Sequence, residues 1–242
     1  MRTPVIPSSL LLILCLSSCG ERKEESAPAR IAAEDFKAAD TPILPLKEGD
    51  FWKYKVTVEV PPGVTSEGAS AIEMEQVKTR VYKGKVFVAE GLPEVDAFDV
   101  SVPGQPHERE LVEIHEDKIM MRGTTRPDVA DAKPIWLDPA VPFVTAGLRA
   151  GEELAKLGMQ DGARTRGVKV VAREEVEVPA GKFAAIRLLM TGNDGQFQLR
   201  RTTWFVPRIG IVKEEKARYA ADKLLFRETT ELVETNVTGL AE

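Results

Sequence analysis

From Val168 to Val233 the chain reverses at roughly ten-residue intervals, a cadence that suits antiparallel strands and not packed helices. Val168, Val170, Ala172, Val176 and Val178 alternate with Lys169, Arg173, Glu175 and Glu177, which predicts a long strand with one wet face. Val178-Pro179-Ala180-Gly181 then supplies a turn, because proline presets the backbone angle at the second position and glycine suits the fourth. Phe183 to Thr191 returns, Gly192-Asn193-Asp194-Gly195 turns again, and Gln196 to Val206 forms the next strand. Pro207-Arg208-Ile209-Gly210 separates it from Ile211-Val212-Lys213, and Leu224 to Val233 closes an antiparallel meander.

The same period opens the folded part. After Gly49-Asp50, the residues Trp52, Tyr54, Val56, Val58 and Val60 alternate with Lys53, Lys55, Thr57 and Glu59, and Pro61-Pro62-Gly63 stops the strand. Val77 to Tyr82 and Val86-Phe87-Val88 read as a hairpin turning at Lys83-Gly84-Lys85. Val95 to Val102 is a further strand, followed by the pair Glu108 to Ile114 and Ile119 to Arg122. Between Gly123 and Gly167 the pattern breaks around Pro127, Pro134, Pro139 and Pro142. Ala146 to Leu157 is the best helix candidate in the chain, although Gly147 and Gly151 weaken it by about 1 kcal/mol each. It is expected to be a connector between two strand-rich halves, or a lid across one face.

Ahead of the strands lie Arg2, an apolar run Leu10-Leu11-Leu12-Ile13-Leu14-Cys15-Leu16, and then Ser17-Ser18-Cys19, the layout of an export signal. Spanning a bilayer takes about 20 predominantly apolar residues, and Pro4, Pro7, Ser8, Ser9, Ser17 and Ser18 leave too few. Leu16-Ser17-Ser18-Cys19 resembles the lipobox of bacterial lipoproteins. That resemblance implies cleavage between Ser18 and Cys19 and a diacylglycerol on Cys19, making Cys19 the lipid-attachment residue. The expected division is a signal peptide over residues 1–18, a polar, Ala-rich tether over 19–42, and a single β-rich domain over 43–242. An alternative division of that domain is two strand-rich halves joined by 123–167. Gly20 stands where an aspartate would argue for inner-membrane retention, so an outer-membrane, periplasmic or surface-facing place in the cell envelope is expected.

Pro45-Leu46-x-x-Gly49-x-x-Trp52-x-Tyr54 and Val178-Pro179-Ala180-Gly181-x-Phe183, with Trp204, Pro207 and Gly210-Ile211-Val212-Lys213, resemble a loose group of uncharacterised bacterial secreted proteins and lipoproteins. The resemblance implies a mainly β fold: a curved antiparallel sheet or half-open barrel, similar to the half-barrel of periplasmic lipoprotein carriers. With the candidate at Ala146 to Leu157, the expected fold carries one short helical connector.

Composition then narrows function. A hydrophobic fraction of 43% supports a real core, and a net charge of −5 with Lys and Arg scattered among Asp and Glu gives no footprint for nucleic acid. The two cysteines, Cys15 and Cys19, leave no disulfide once the signal is removed. His107 and His115 match no common metal spacing, and no Gly-x-Ser-x-Gly elbow occurs. Carboxylate pairs such as Glu108 with Glu110, or Glu174 with Glu175, read as the solvated face of a strand. No catalytic residue, metal or cofactor is expected.

The aromatics Trp52, Tyr54, Phe183, Phe197 and Trp204 are candidates to line a pocket on the concave face, with simple core packing as the plainer reading. The expected function is a non-enzymatic, lipid-anchored envelope protein. Its partners would be the membrane, through Cys19, and a hydrophobic small molecule or an envelope protein. The alternatives are an interaction lipoprotein pairing through an exposed strand edge and, third, an enzyme without a recognisable motif.

Overall fold

The computed structural model describes residues 43–64, 66, 70–130, 132–147, 149–158, 165–193 and 196–237. Cys19 and the tether lie outside them. The described residues form twelve strands and no helix: β1 (Phe51–Val60), β2 (Ile72–Val86), β3 (Val95–Ser101), β4 (Glu108–Ile114), β5 (Lys118–Thr125), β6 (Ile135–Thr145), β7 (Glu153–Gly158), β8 (Thr165–Val178), β9 (Gly181–Asn193), β10 (Gln198–Val206), β11 (Gly210–Ala220) and β12 (Lys223–Thr235).

All twelve join one antiparallel sheet in the order β6-β5-β4-β3-β2-β1-β12-β11-β10-β9-β8-β7. The first and last strands therefore pair at its centre, with Val56 opposite Thr230, and the meander runs outward from them both ways. The sheet curls until its two edges, β6 and β7, lie side by side without joining. The result is a nearly closed barrel with one unsealed seam, as the expected half-open barrel requires. Phe143 on β6 and Phe205 on β10 meet edge to face across the interior, 6.2 Å apart.

Two local expectations are corrected. The stretch from Ala146 to Leu157 is not a helix: Gly147 and Gly151 take φ of 76° and 89°, outside the helical region, and β7 follows from Glu153. That strand pairs with β8, because an extended backbone at a sheet margin gains ladder bonds that an isolated helical turn lacks. Lys83-Gly84-Lys85 is not a hairpin turn either. β2 continues through it to Val86, with the register against β3 slipping between Tyr82 and Lys85. The Pro-broken stretch supplies the two margins of the sheet: β6 accommodates Pro139 and Pro142 because an edge strand leaves one side of its backbone unpaired.

One end of the barrel is solid. The segment before β1 crosses it as a strap: Ile43 N–H donates to Glu116 O in the β4–β5 turn (2.8 Å), and Arg208 N–H in the β10–β11 turn donates to Ile43 O (2.7 Å). Ile43 and Leu44 are buried beneath Trp52, Phe98, Phe205 and Val212. Trp52 and Phe98 pack edge to face at 5.7 Å. Tyr82 is the polar member of this end, donating from Oη to Asp96 Oδ1 (2.6 Å), while Ile114 N–H donates to Asp96 Oδ2 (3.2 Å). Burial, and next the bond to Asp96, push the Tyr82 phenol far above its ordinary pKa, so it stays a donor.

Candidate functional site

Residues paired across an antiparallel ladder share a face, so the register shows what each strand turns inward. From Trp52 and Tyr54, the inward face of β1 continues through Val56 and Val58 to Val60. Opposite it, β2 turns in Tyr82, Arg80, Lys78, Gln76, Met74 and Ile72. β12 turns in Leu232, Thr230 and Glu228, and β11 turns in Glu214, Lys216 and Arg218. β10 turns in Phe205, Thr203, Arg201 and Leu199. Read from the solid end outward, several strands go from apolar to charged, and β2 and β10 go back to apolar. The lumen therefore carries a charged belt between a packed base and an apolar mouth.

The belt spans both walls. Arg80 Nε donates to Glu110 Oε2 (2.8 Å), with its guanidinium 3.5 Å from the centre of the Phe98 ring. On the facing wall Arg201 holds Glu214 through both Nε and a terminal nitrogen. Lys216 bridges Glu214 (3.1 Å) and Glu228 (3.0 Å). The Glu214 side chain is only 3% exposed. Burial alone would raise its pKa, but Arg201, Lys216 and Lys78 outweigh that and hold the carboxyl far below the usual range. Glu110 is lowered in the same way: burial opposes, and Arg80, Arg201 and Lys78 prevail. Because Arg201 from β10 acts on Glu110 from β4, the two walls meet electrostatically across the lumen.

Lys78 is the exception. Its ammonium sits 5.3 Å from the centre of the Tyr54 ring and forms no ion pair with any described carboxylate. On β12, Thr230 is 1% exposed and its Oγ1 has no hydrogen-bond partner among the described residues.

Beyond the belt the lumen opens into a cavity of about 420 Å³. Met121, Met190, Leu199 and Phe226 supply its apolar wall, and Arg201, Lys216 and Arg218 its polar one, the Arg200 side chain taking the other face of β10 over Tyr219. Among the described residues no carboxylate reaches the lining. A second void of only about 40 Å³, within the solid end, shares Met121 and Arg201 with it, so Arg201 stands between the two.

The five aromatics singled out in the sequence are not brought together. Trp52 and Tyr54 belong to the solid end, where Trp52 Nε1 donates to Ile209 O (2.7 Å) and Tyr54 Oη to Ile211 O (3.0 Å). Trp204 takes the outer face, opposite in sense to Thr203. Its Nε1 donates to Glu174 Oε1 (2.8 Å), and the lower β8–β9 hairpin leans over it, with Ala180 N–H bonded to Leu232 O (2.9 Å). Phe183 is half-buried opposite Val176 on that hairpin. Phe197 stands nearest the cavity, at the entrance to β10, under the Arg218 guanidinium at 3.7 Å.

Lys78, Arg201, Glu214 and Lys216 stand outside every motif of the sequence, and Glu110, which reads there as a solvated carboxylate, is paired with Arg80. The available signal was the inward series itself: Leu199, Arg201, Thr203, Phe205 lies on one face of β10, with charge between two apolar residues. His107 and His115 stay apart, His107 N–H bonding Asp128 (3.0 Å) and His115 lying 3.5 Å from Glu113. Among the described residues no group of three or more His, Cys, Asp and Glu side chains could hold a metal ion.

No protein-family model matches the chain, and no curated protein matches it. Two solved structures are similar in backbone. One is a Bacteroides fragilis protein provisionally described as exported, with a YmcC-like fold (TM-score 0.41, 13% identity). The other is a Parabacteroides distasonis protein provisionally described as a lipoprotein (TM-score 0.38, 14% identity). Each comparison covers 81% of this chain and 99% of the other.

Proposed function

We propose that the chain is a cell-envelope protein, held to a membrane by lipid on Cys19, whose barrel binds a hydrophobic ligand without catalysing a reaction. The observation that carries this reading is the cavity of about 420 Å³ above a solid base, within the 300–1,000 Å³ typical of small-molecule sites. The export signal and the lipobox-like Leu16-Ser17-Ser18-Cys19 support the address. Its test uses the whole chain from residue 19, with Cys19→Ser, and the uncharged fluorophore N-phenyl-1-naphthylamine. The probe should brighten on saturable binding, and Met190→Trp, which fills the wall, should abolish the signal while the fold melts normally. No saturable binding, or binding indifferent to Met190→Trp, contradicts the reading.

A second reading rests on the seam. β6 and β7 are the margins of the sheet and do not pair with each other, so each offers a backbone edge to an envelope protein. A crosslinker placed on β6 in intact envelopes should then trap one discrete partner, and recovery of the uncrosslinked chain alone would count against it.

A further inference from the structure

We infer that the cavity selects an anionic amphiphile, a single apolar chain bearing a carboxylate or phosphate. The apolar part lies against Met121, Met190, Leu199 and Phe226, and the anion lies against the cations on the belt side. The inference rests on the ligand-binding reading above and narrows it.

Three observations carry it. The wall of the cavity has three cationic side chains, Arg201, Lys216 and Arg218, and no carboxylate among the described residues, although the whole chain is acidic, at −5. The belt beneath sets Lys78, Arg80, Arg201 and Lys216 against Glu110, Glu214 and Glu228, with the exposed Glu108 next on the same face of β4. Among these four cations, Lys78 is the one that forms no ion pair with a described carboxylate, its ammonium resting against the Tyr54 ring.

An unpaired ammonium held inside a barrel is unfavourable unless something compensates it. Burial lowers the pKa of Lys78 and Lys216 adds to the lowering, while Glu214, Glu110 and Glu228 oppose it. A fold selected for stability alone would place a neutral side chain there. An incoming anion supplies the missing charge, and the apolar mouth excludes the small hydrophilic anions that would otherwise serve. Glu214 and Glu228 fix Lys216 and Arg201 in place, so these cations present ordered donors with little entropy left to lose on binding.

The test is competition against N-phenyl-1-naphthylamine on the whole chain from residue 19 with Cys19→Ser, using three twelve-carbon competitors: laurate, dodecyl phosphate and dodecanol. Laurate, dodecyl phosphate or both should displace the probe at a concentration about tenfold below that of dodecanol. Stronger displacement by laurate points to a free fatty acid as the source, and by dodecyl phosphate to a phosphate-bearing lipid; either supports the inference. Lys78→Gln and, as an independent variant, Arg218→Gln should each weaken the preferred anion by about tenfold and leave dodecanol unchanged, with thermal melts verifying the fold. Equal displacement by dodecanol, or variants that weaken all three alike, overturns the anion selectivity and leaves the hydrophobic-ligand reading standing. Failure of the probe itself to bind removes that reading and this inference with it.

Discussion

The Arg201 guanidinium and the Glu214 carboxylate are bonded to each other inside the barrel, where the Glu214 side chain is 3% exposed and Lys216 holds its second oxygen. Removing one partner of such a pair leaves the other charge buried and uncompensated. Glu214→Gln should therefore destabilise the fold by about 3–5 kcal/mol, read as a lowered midpoint in chemical denaturation. A loss under 1 kcal/mol would mean that solvent reaches the belt freely.

The same carboxylate sets an acid dependence. Its folded pKa lies below its unfolded value, so its contribution is fully present above the unfolded pKa of about 4.3 and is lost as pH falls toward the folded one. The stability difference between the natural chain and Glu214→Gln should be constant from neutrality to about pH 5 and shrink below about pH 4.3. A difference that instead shrinks between pH 6 and 8 would assign the effect to another group.

Trp204→Ala separates packing from binding. Trp204 is 8% exposed, on the outer face under the β8–β9 hairpin, and bonded to Glu174. Its truncation should cost about 3–5 kcal/mol in unfolding free energy. The affinity of the remaining folded protein for N-phenyl-1-naphthylamine should not change. A selective loss of binding would place Trp204 in the site.

Gly123 shows what holds the seam margin in place. A Cβ there would lie 1.8 Å from Ile135 O, and its φ of 140° disfavours any side chain. Gly123→Ala should prise β6 from β5, raising hydrogen exchange at Ile135 and Trp136 while the β1–β12 pair stays protected. Uniform exchange across the sheet would show that β6 does not open separately.

Most of the barrel is legible in the sequence because its strands alternate cleanly and their turns carry proline and glycine. β1, β8, β9, β10 and β12 lie near where alternation puts them. β6 and β7 escape that reading for a physical reason: an edge strand needs neither period two nor a donor at every residue, so Pro139, Pro142 and the glycines around β7 resemble loop or helix. The site was less legible. Lys216 on β11 faces the lumen and Lys213 the outside, yet a single strand reads both as charges alternating with something else. Only the ladder register, set by residues distant in the chain, distinguishes them. Aromatic clustering pointed to the core for the same reason: Trp52 and Tyr54 are conspicuous in sequence because the solid end needs their volume.

Native mass spectrometry of the full chain, extracted from its own envelope and released from detergent in the spectrometer, tests the ligand-binding account most directly. The account predicts an extra mass beyond the lipid on Cys19, present at one copy per chain, absent after denaturation, and identifiable as an amphiphile. A chain that carries its covalent lipid and nothing else, and that stays empty when laurate and dodecyl phosphate are supplied, would contradict it.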